Sequence, residues 1–271
     1  MELRRLEEQE HQKTRKLWEE VFSDDTRAFL DYYYFIKTKE NEIWVIEEDG
    51  EIQSMLQLNP YQLQVAEHPF LCRYIIAVAT RAQYRSRGYM SSLLRKAMQE
   101  MYGKKEPFTF LMPAAEAIYT PYDFRFVYSQ RQAVFEKKAE TELIEEEDAT
   151  MFQAEELAAF AKERLFGTAR VYAVRDAHYY QTRVLEQQSE NGGIRILKKD
   201  GKLVGIYCYA KEETCEVLEP LILPGYETVF WDSISGLSEK PVKVLACPEV
   251  LEPCARSVER KPVSYTHLRA H

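Results

Sequence analysis

Two Asp-Gly turns, Asp49-Gly50 and Asp200-Gly201, lie between matching apolar runs and constrain this chain more than any other feature. Asp-Gly between apolar runs marks a tight hairpin, because the turn needs residues that tolerate positive φ. Superposing the second turn on the first aligns Ile196-Leu197 with Val45-Ile46, and Leu203 with Ile52. Each hairpin follows a tyrosine-bearing helical stretch, residues 26–36 in the first half and 176–186 in the second. Each is followed by a strand, a helix and a strand: residues 70–80, 88–102 and 108–112 first, then 216–223, 225–236 and 242–246. The simplest account is a tandem repeat of one α+β unit. A helix over residues 6–22 opens the chain. A short helix over 114–122 and a strand over 126–135 close the first unit. The stretch 136–156 then carries nine acids and two lysines, the composition of a solvated connector. The boundary is expected inside it, giving units over 1–138 and 139–262.

Composition narrows the function. The 271 residues are 45% hydrophobic and 30% charged, enough apolar material for real cores. Length alone suggests about two domains. The net charge of −8 argues against a general nucleic-acid partner, which needs a broad basic field. The longest uncharged run, residues 52–66, holds four Gln, an Asn and a Pro and falls short of the roughly 18 apolar residues of a membrane span. Nothing at the charged N-terminus resembles a signal peptide. Cys72, Cys208, Cys215, Cys247 and Cys254 form no CxxC pair, and His11, His68 and His178 are far apart in sequence. The expectation is a reduced cytoplasmic protein without a disulfide framework or a metal site. Residues 263–271, Val-Ser-Tyr-Thr-His-Leu-Arg-Ala-His, share no pattern with what precedes them. They resemble the in-frame translation of a transposase adapter used in DNA library preparation, and are expected to lie outside the natural fold.

The two halves differ at the junction of strand and helix. In the first half it reads Ile76-Ala-Val-Ala-Thr-Arg-Ala-Gln-Tyr-Arg-Ser-Arg-Gly88-Tyr-Met90. Residues 81–105 hold seven basic side chains and one acid, a local +6 in an acidic chain. The apolar positions Met90, Leu93, Leu94, Ala97, Met98 and Met101 trace one face of the helix that follows. A helix N-terminus offers unpaired N–H groups and partial positive charge. Arg85, Ser86, Arg87 and Gly88 fall where those amides would cradle a phosphate, and Gly88 permits close backbone approach. The plainer reading is a solvated arginine loop ending in a turn glycine; the preceding strand and following amphipathic helix favour the phosphate. The second half has Leu223-Pro-Gly-Tyr226 at this place, with no arginine and no expected phosphate.

These residues resemble a known family. The segment 78–90, with Val78, Ala79, Thr80, Arg85, Ser86, Arg87, Gly88, Tyr89 and Met90, is similar to the acyl-CoA-binding motif Q/R-x-x-G-x-G/A of the GNAT N-acetyltransferases. Met90 departs from the small final residue. Residues 119–124 are similar to the family's Y-x-x-x-G-F element, with Asp123 in place of Gly. The pairing of this motif with a second, motif-less half resembles the Eis-like (enhanced intracellular survival) branch. The resemblance implies tandem GNAT-like domains, each a mixed, mostly antiparallel sheet flanked by helices, and acetyl-CoA as cosubstrate of the first. It implies that residues 76–80 splay from the neighbouring strand to meet pantetheine, and that amides 85–90 hold the pyrophosphate. Tyr119 matches the general acid. A phenol with pKa near 10 can protonate a departing thiolate; the structural alternative is one packed aromatic among 18 tyrosines. The expected reaction is acetyl transfer to a primary amine of a small molecule or peptide. In that branch a further domain supplies a C-terminal carboxylate as base and many members are homo-oligomers, so the chain is expected to be truncated. Glu116 is near Tyr119 in sequence, and the base stays unassigned. A non-catalytic acyl-CoA-binding module and a tandem-GNAT aminoacyl transferase are the alternatives.

Overall fold

The computed structural model describes residues 1–135, 144–211 and 214–246, and the backbone of 259–268. It divides into two compact units, Met1–Tyr128 with Val263–His271, and Ser129–Pro262. The expected boundary at 138/139 lies outside the described residues.

The first unit begins with β1 (Glu2–Arg5), a strand that periodicity did not announce, and a 3-10 helix over Glu8–Thr14. Helix α1 (Arg15–Val21) follows. The single helix expected over 6–22 is therefore interrupted at Thr14, whose hydroxyl donates to the His11 carbonyl at 2.7 Å. Helix α2 (Arg27–Phe35) starts at Thr26, whose Oγ accepts from the Phe29 amide at 3.1 Å. Strands β2 (Glu42–Glu48) and β3 (Glu51–Val65) form the Asp-Gly hairpin, and β3 continues into β4 (His68–Thr80). The structure carries Pro60 opposite Arg73, past the Glu42↔Leu58 pair that ends β2, where the missing N–H breaks no ladder to that neighbour. Helix α3 (Tyr89–Gly103) crosses over to β5 (Phe108–Leu111), which pairs parallel with β4. Helix α4 (Glu116–Tyr119) comes last.

One face of this sheet packs on α3: Leu93, Leu94, Ala97 and Met101 bury against Trp44, Ile46, Leu56, Leu58 and Ile75. The 3.6-residue period of α3 is thus the core stripe it predicts. The other face meets α1 and α2, with the Trp18 and Tyr33 rings 4.6 Å apart.

The second unit contains the end of β6 (Arg125–Phe135), then β7 (Glu145–Asp148), α5 (Ala154–Thr168), a short β8 (Val171–Ala173) and α6 (Ala177–Ser189). Strands β9 (Gly193–Lys199), β10 (Lys202–Lys211) and β11 (Cys215–Ile222) lead to α7 (Glu227–Ser235) and β12 (Val242–Ala246). Strands β9, β10 and β11 pair antiparallel in turn, and β12 lies parallel to β11. That is the order of β2, β3, β4 and β5. Helices α5 and α6 pack on one face through Leu157, Ala161, Tyr180 and Val184, and α7 on the other through Phe230 and Ile234. Both units are mixed α+β, as expected of tandem GNAT-like domains.

The repeat extends to irregularities. Both hairpins bulge at the same offset from their Asp-Gly turns, with Gln53 and Val204 as the extra residues. Both later strands bulge again, around Ala77 (φ 51°) and Glu219 (φ 53°). Bulges are specific re-aiming devices, and two shared positions are strong support for the repeat. Backbone strand β13 (Glu259–Leu268) pairs residues 265–268 with 108–111 of β5. The tail set aside on sequence grounds is thus drawn as a strand of the first unit. Cys72, Cys208 and Cys215 are buried free thiols, while Cys247 and Cys254 fall outside the described residues. No helix among the described residues is long and apolar enough to cross a membrane.

Candidate active site

The site starts from the bulge in β4. The register with β3 slips between Met55 and Gln57, opposite Ala77, so the segment Val78–Thr80 is re-aimed relative to the strand before it. Parallel pairing with β5 ends at Ile75↔Leu111. Beyond that pair β5 ends while β4 runs on to Thr80, leaving a gap beside its last residues. The bulge itself was missed at the sequence level. Its only trace there is small Ala77 interrupting a β-branched run.

A cleft of about 510 Å³ opens at this gap. Val78, Ala79 and Thr80 line it from β4, and Arg85, Ser86, Gly88, Tyr89 and Met90 from the loop and first turn of α3. Tyr119 lines it from α4. Nine of the ten residues singled out from sequence therefore share one cleft. The tenth, Arg87, stacks its guanidinium 4.7 Å from the Tyr84 ring instead. Val21, Tyr84, Ser91, Ala114, Ile118 and Tyr122 complete the wall; Tyr84 and Tyr122 fall inside the two motif segments without being singled out there.

The loop's geometry suits an anion. Gly88 precedes α3 at φ 82° and Ser86 stands at φ 61°, two left-handed residues that turn the chain into the helix. The α3 N-terminus has no side-chain cap. Its first amides are left facing the cleft mouth, the arrangement that holds phosphates at helix N-termini. Arg85 Nε donates to the Thr80 carbonyl at 3.2 Å, bringing its charge over the end of β4. Tyr89 buries its ring and donates its hydroxyl to Glu48. Met90, the departure from the small motif residue, is half-buried and packs on the α3 core.

The local +6 counted from sequence shrinks in three dimensions. Arg81 pairs with Glu20 and Glu51, and Lys104 with Glu42. Glu20, Glu42 and Glu51 come from distant segments, so a window count could not see them. The cation that stays at the cleft is Arg85.

Tyr119 is 8% exposed and packs edge-on to Phe124 with centroids 5.8 Å apart. Burial pushes its phenol above the usual value near 10, so it keeps its proton across the neutral range. Asp123 occupies the family's glycine position at φ 62°, and aspartate is among the residues that tolerate this left-handed conformation. Glu116 is exposed.

The second unit lacks this site. At its strand–helix junction the Gly225 amide donates to the Glu227 carboxylate at 2.9 Å. Gly225 precedes α7, whose N-terminus has no side-chain cap either; what differs is that no arginine stands at this junction. Instead of Ala77, its bulge holds Glu219, bonded to Tyr179 at 2.6 Å and paired with Arg175 and Arg183. Those two guanidiniums hold its carboxyl low, at about 2, despite burial.

Residues 2–127 match the family model for the acetyltransferase (GNAT) domain. No curated protein matches the chain by sequence. Solved structures do match in fold. A probable N-acyltransferase from Enterococcus faecalis, itself a conserved protein of unknown function, aligns with TM-score 0.80 at 15% identity, over 98% of this chain and 72% of that one. A GCN5-related N-acetyltransferase from Kribbella flavida gives 0.75 at 14% identity, over 98% and 72%. Eis1 from Mycobacterium abscessus gives 0.67 at 11%, over 99% and 74%.

Proposed function

We propose that the chain is an acetyl-CoA-dependent N-acetyltransferase acting on a primary amine of a small molecule or peptide, with catalysis confined to the first unit. The observation that carries this reading is the convergence of the β4 edge, the uncapped α3 N-terminus and Tyr119 on one cleft. The tandem arrangement, together with the fold shared with Eis1 of M. abscessus, supports an Eis-like relative; a cytoplasmic setting and homo-oligomerisation go with that assignment.

Acetyl-CoA supplies a thioester, whose carbonyl the acceptor amine attacks and from which CoA departs as a thiolate. The chain's residues have separable tasks. The backbone of Val78–Thr80 pairs with the pantetheine arm. The amides of Ser86–Met90 hold the pyrophosphate, with Arg85 and Arg87 adding positive charge. Tyr119 gives its phenolic proton to the leaving sulfur. This transfer is uphill, since the phenol is a weaker acid than a thiol near pKa 8.5, and it is drawn on as the phenolate regains a proton from solvent. The base that takes the amine proton is not assigned.

The test is acetyl-CoA binding by calorimetry, wild type beside Arg85→Glu, with matching circular dichroism. Binding that disappears in the variant supports the site; no binding by folded wild-type protein overturns the reading. A turnover assay over a panel of amines then separates an enzyme from a non-catalytic acyl-CoA-binding module, for which Tyr119→Phe changes nothing.

A further inference from the structure

The loop between β4 and α3 is fastened at both ends to a single hairpin. At its start Arg81 is only 8% exposed. Its Nε and one amino nitrogen donate to the two Glu20 carboxylate oxygens at 2.9 and 3.1 Å. The other amino nitrogen donates to Glu51 and, at 3.3 Å, to Gln53 Oε1. At the loop's far end the Tyr89 hydroxyl donates to Glu48. Glu48 and Glu51 flank the Asp49-Gly50 turn, so one turn grips both anchors. Between the anchors lie Ser86 and Gly88, the two left-handed residues.

The second unit is an internal control. There the Leu223 amide donates to the Val204 carbonyl at 2.8 Å, as the Arg81 amide donates to Gln53 at 3.0 Å. The backbone bond is kept and the side chains are not. Superposing the two turns puts Lys199, Lys202 and Val204 where the first unit has Glu48, Glu51 and Gln53, and Leu223 where it has Arg81. That unit also has no arginine-bearing loop to hold. The charged contacts therefore go with the loop, whereas the sheet bond persists without it.

We infer that Arg81 and Tyr89, gripped by Glu51 and Glu48, are positioning residues that fix the shape of the phosphate-holding loop. This rests on the acetyl-CoA reading above. The mechanism is preorganisation: a loop already held in its binding shape loses less freedom when the ligand arrives. Arg81 acts through the loop and not by touching the ligand, since its guanidinium is spent on two carboxylates.

The test compares acetyl-CoA with acetyl-pantetheine, which carries the same thioester and arm but no pyrophosphate. Arg81→Leu, Glu51→Gln and Tyr89→Phe are assayed, the last two removing an exposed charge and a single hydroxyl, so that folding is preserved. For Arg81→Leu, affinity and kcat/KM for acetyl-CoA fall about tenfold, while kcat/KM for acetyl-pantetheine stays within about twofold. Smaller losses of the same selectivity follow in the two milder variants. Equal losses on both donors, or no loss on either, overturn the clamp alone. Failure of the wild-type chain to bind acetyl-CoA in the same titration overturns the function, and the clamp with it.

Discussion

Tyr119 meets two requirements that are usually in tension for a general acid. It must be shielded enough to hold its proton and open enough to reach a leaving group. Burial meets the first by raising its pKa, and its place in the cleft wall meets the second. Tyr119→Phe is expected to lower kcat by about 10²- to 10⁴-fold, with the KM for acetyl-CoA nearly unchanged. Steady-state kinetics with a fixed amine reads this directly. His11 belongs to stability instead. It is buried, and its Nδ1–H donates to the Thr38 carbonyl at 2.9 Å. Burial lowers its pKa below the usual 6.5, so the unfolded chain takes up a proton that the folded one refuses. Its contribution is whole above pH 6.5 and drains away as pH falls from there toward the lowered folded value. Urea unfolding between pH 7.5 and 5.5 should show declining stability in the wild type and a flatter profile in His11→Gln.

At the scale of elements, the entry to α3 is the most exacting stretch of backbone. A Cβ at Gly88 would touch nothing within 4 Å, so the constraint there is φ of 82° and not space. Gly88→Ala is expected to cost about 1–2 kcal/mol in unfolding free energy, through left-handed strain alone. Denaturant titration measures it, and a cost near zero would mean that the turn relaxes. Helix α3 was legible because six apolar positions repeat at helical spacing, and the hairpins because Asp-Gly leaves little choice. Asp123 was legible too, as a substitution whose left-handed backbone explains why glycine fits there. The break at Thr14 was not, because apolar residues on either side share a period that says nothing about a local hydroxyl bond to His11. The bulges at Ala77 and Gln53 were equally silent, since register is decided between strands and not along one.

For the whole molecule, the two units share a ladder but differ in what they leave open. The strand–helix junction of the first carries Arg85 and opens on the cleft, whereas that of the second has no arginine and its bulge is filled by Glu219 with Arg175 and Arg183. One acetyl-CoA is therefore expected per chain, not two. Calorimetric stoichiometry checks this, and a second site surviving in Arg85→Glu would show that the second unit binds after all. The sequence carried this asymmetry in plain view, as an arginine loop present once. It did not carry the neutralisation of Arg81 and Lys104, because charge balance is set by segments that meet only after folding.

The matching bulges have a consequence for how such a chain can change over time. When one unit became two, side chains in the second copy were free to diverge: Glu51 has Lys202 as its counterpart, Arg81 has Leu223, and Ala77 has Glu219. Hydrogen-bond register was not free, because shifting it by one residue would turn every core side chain toward water. Chemistry is therefore the mutable layer of this architecture and strand register its fossil. Ancestry in such duplicates is better traced by where the strands stumble than by which residues they share.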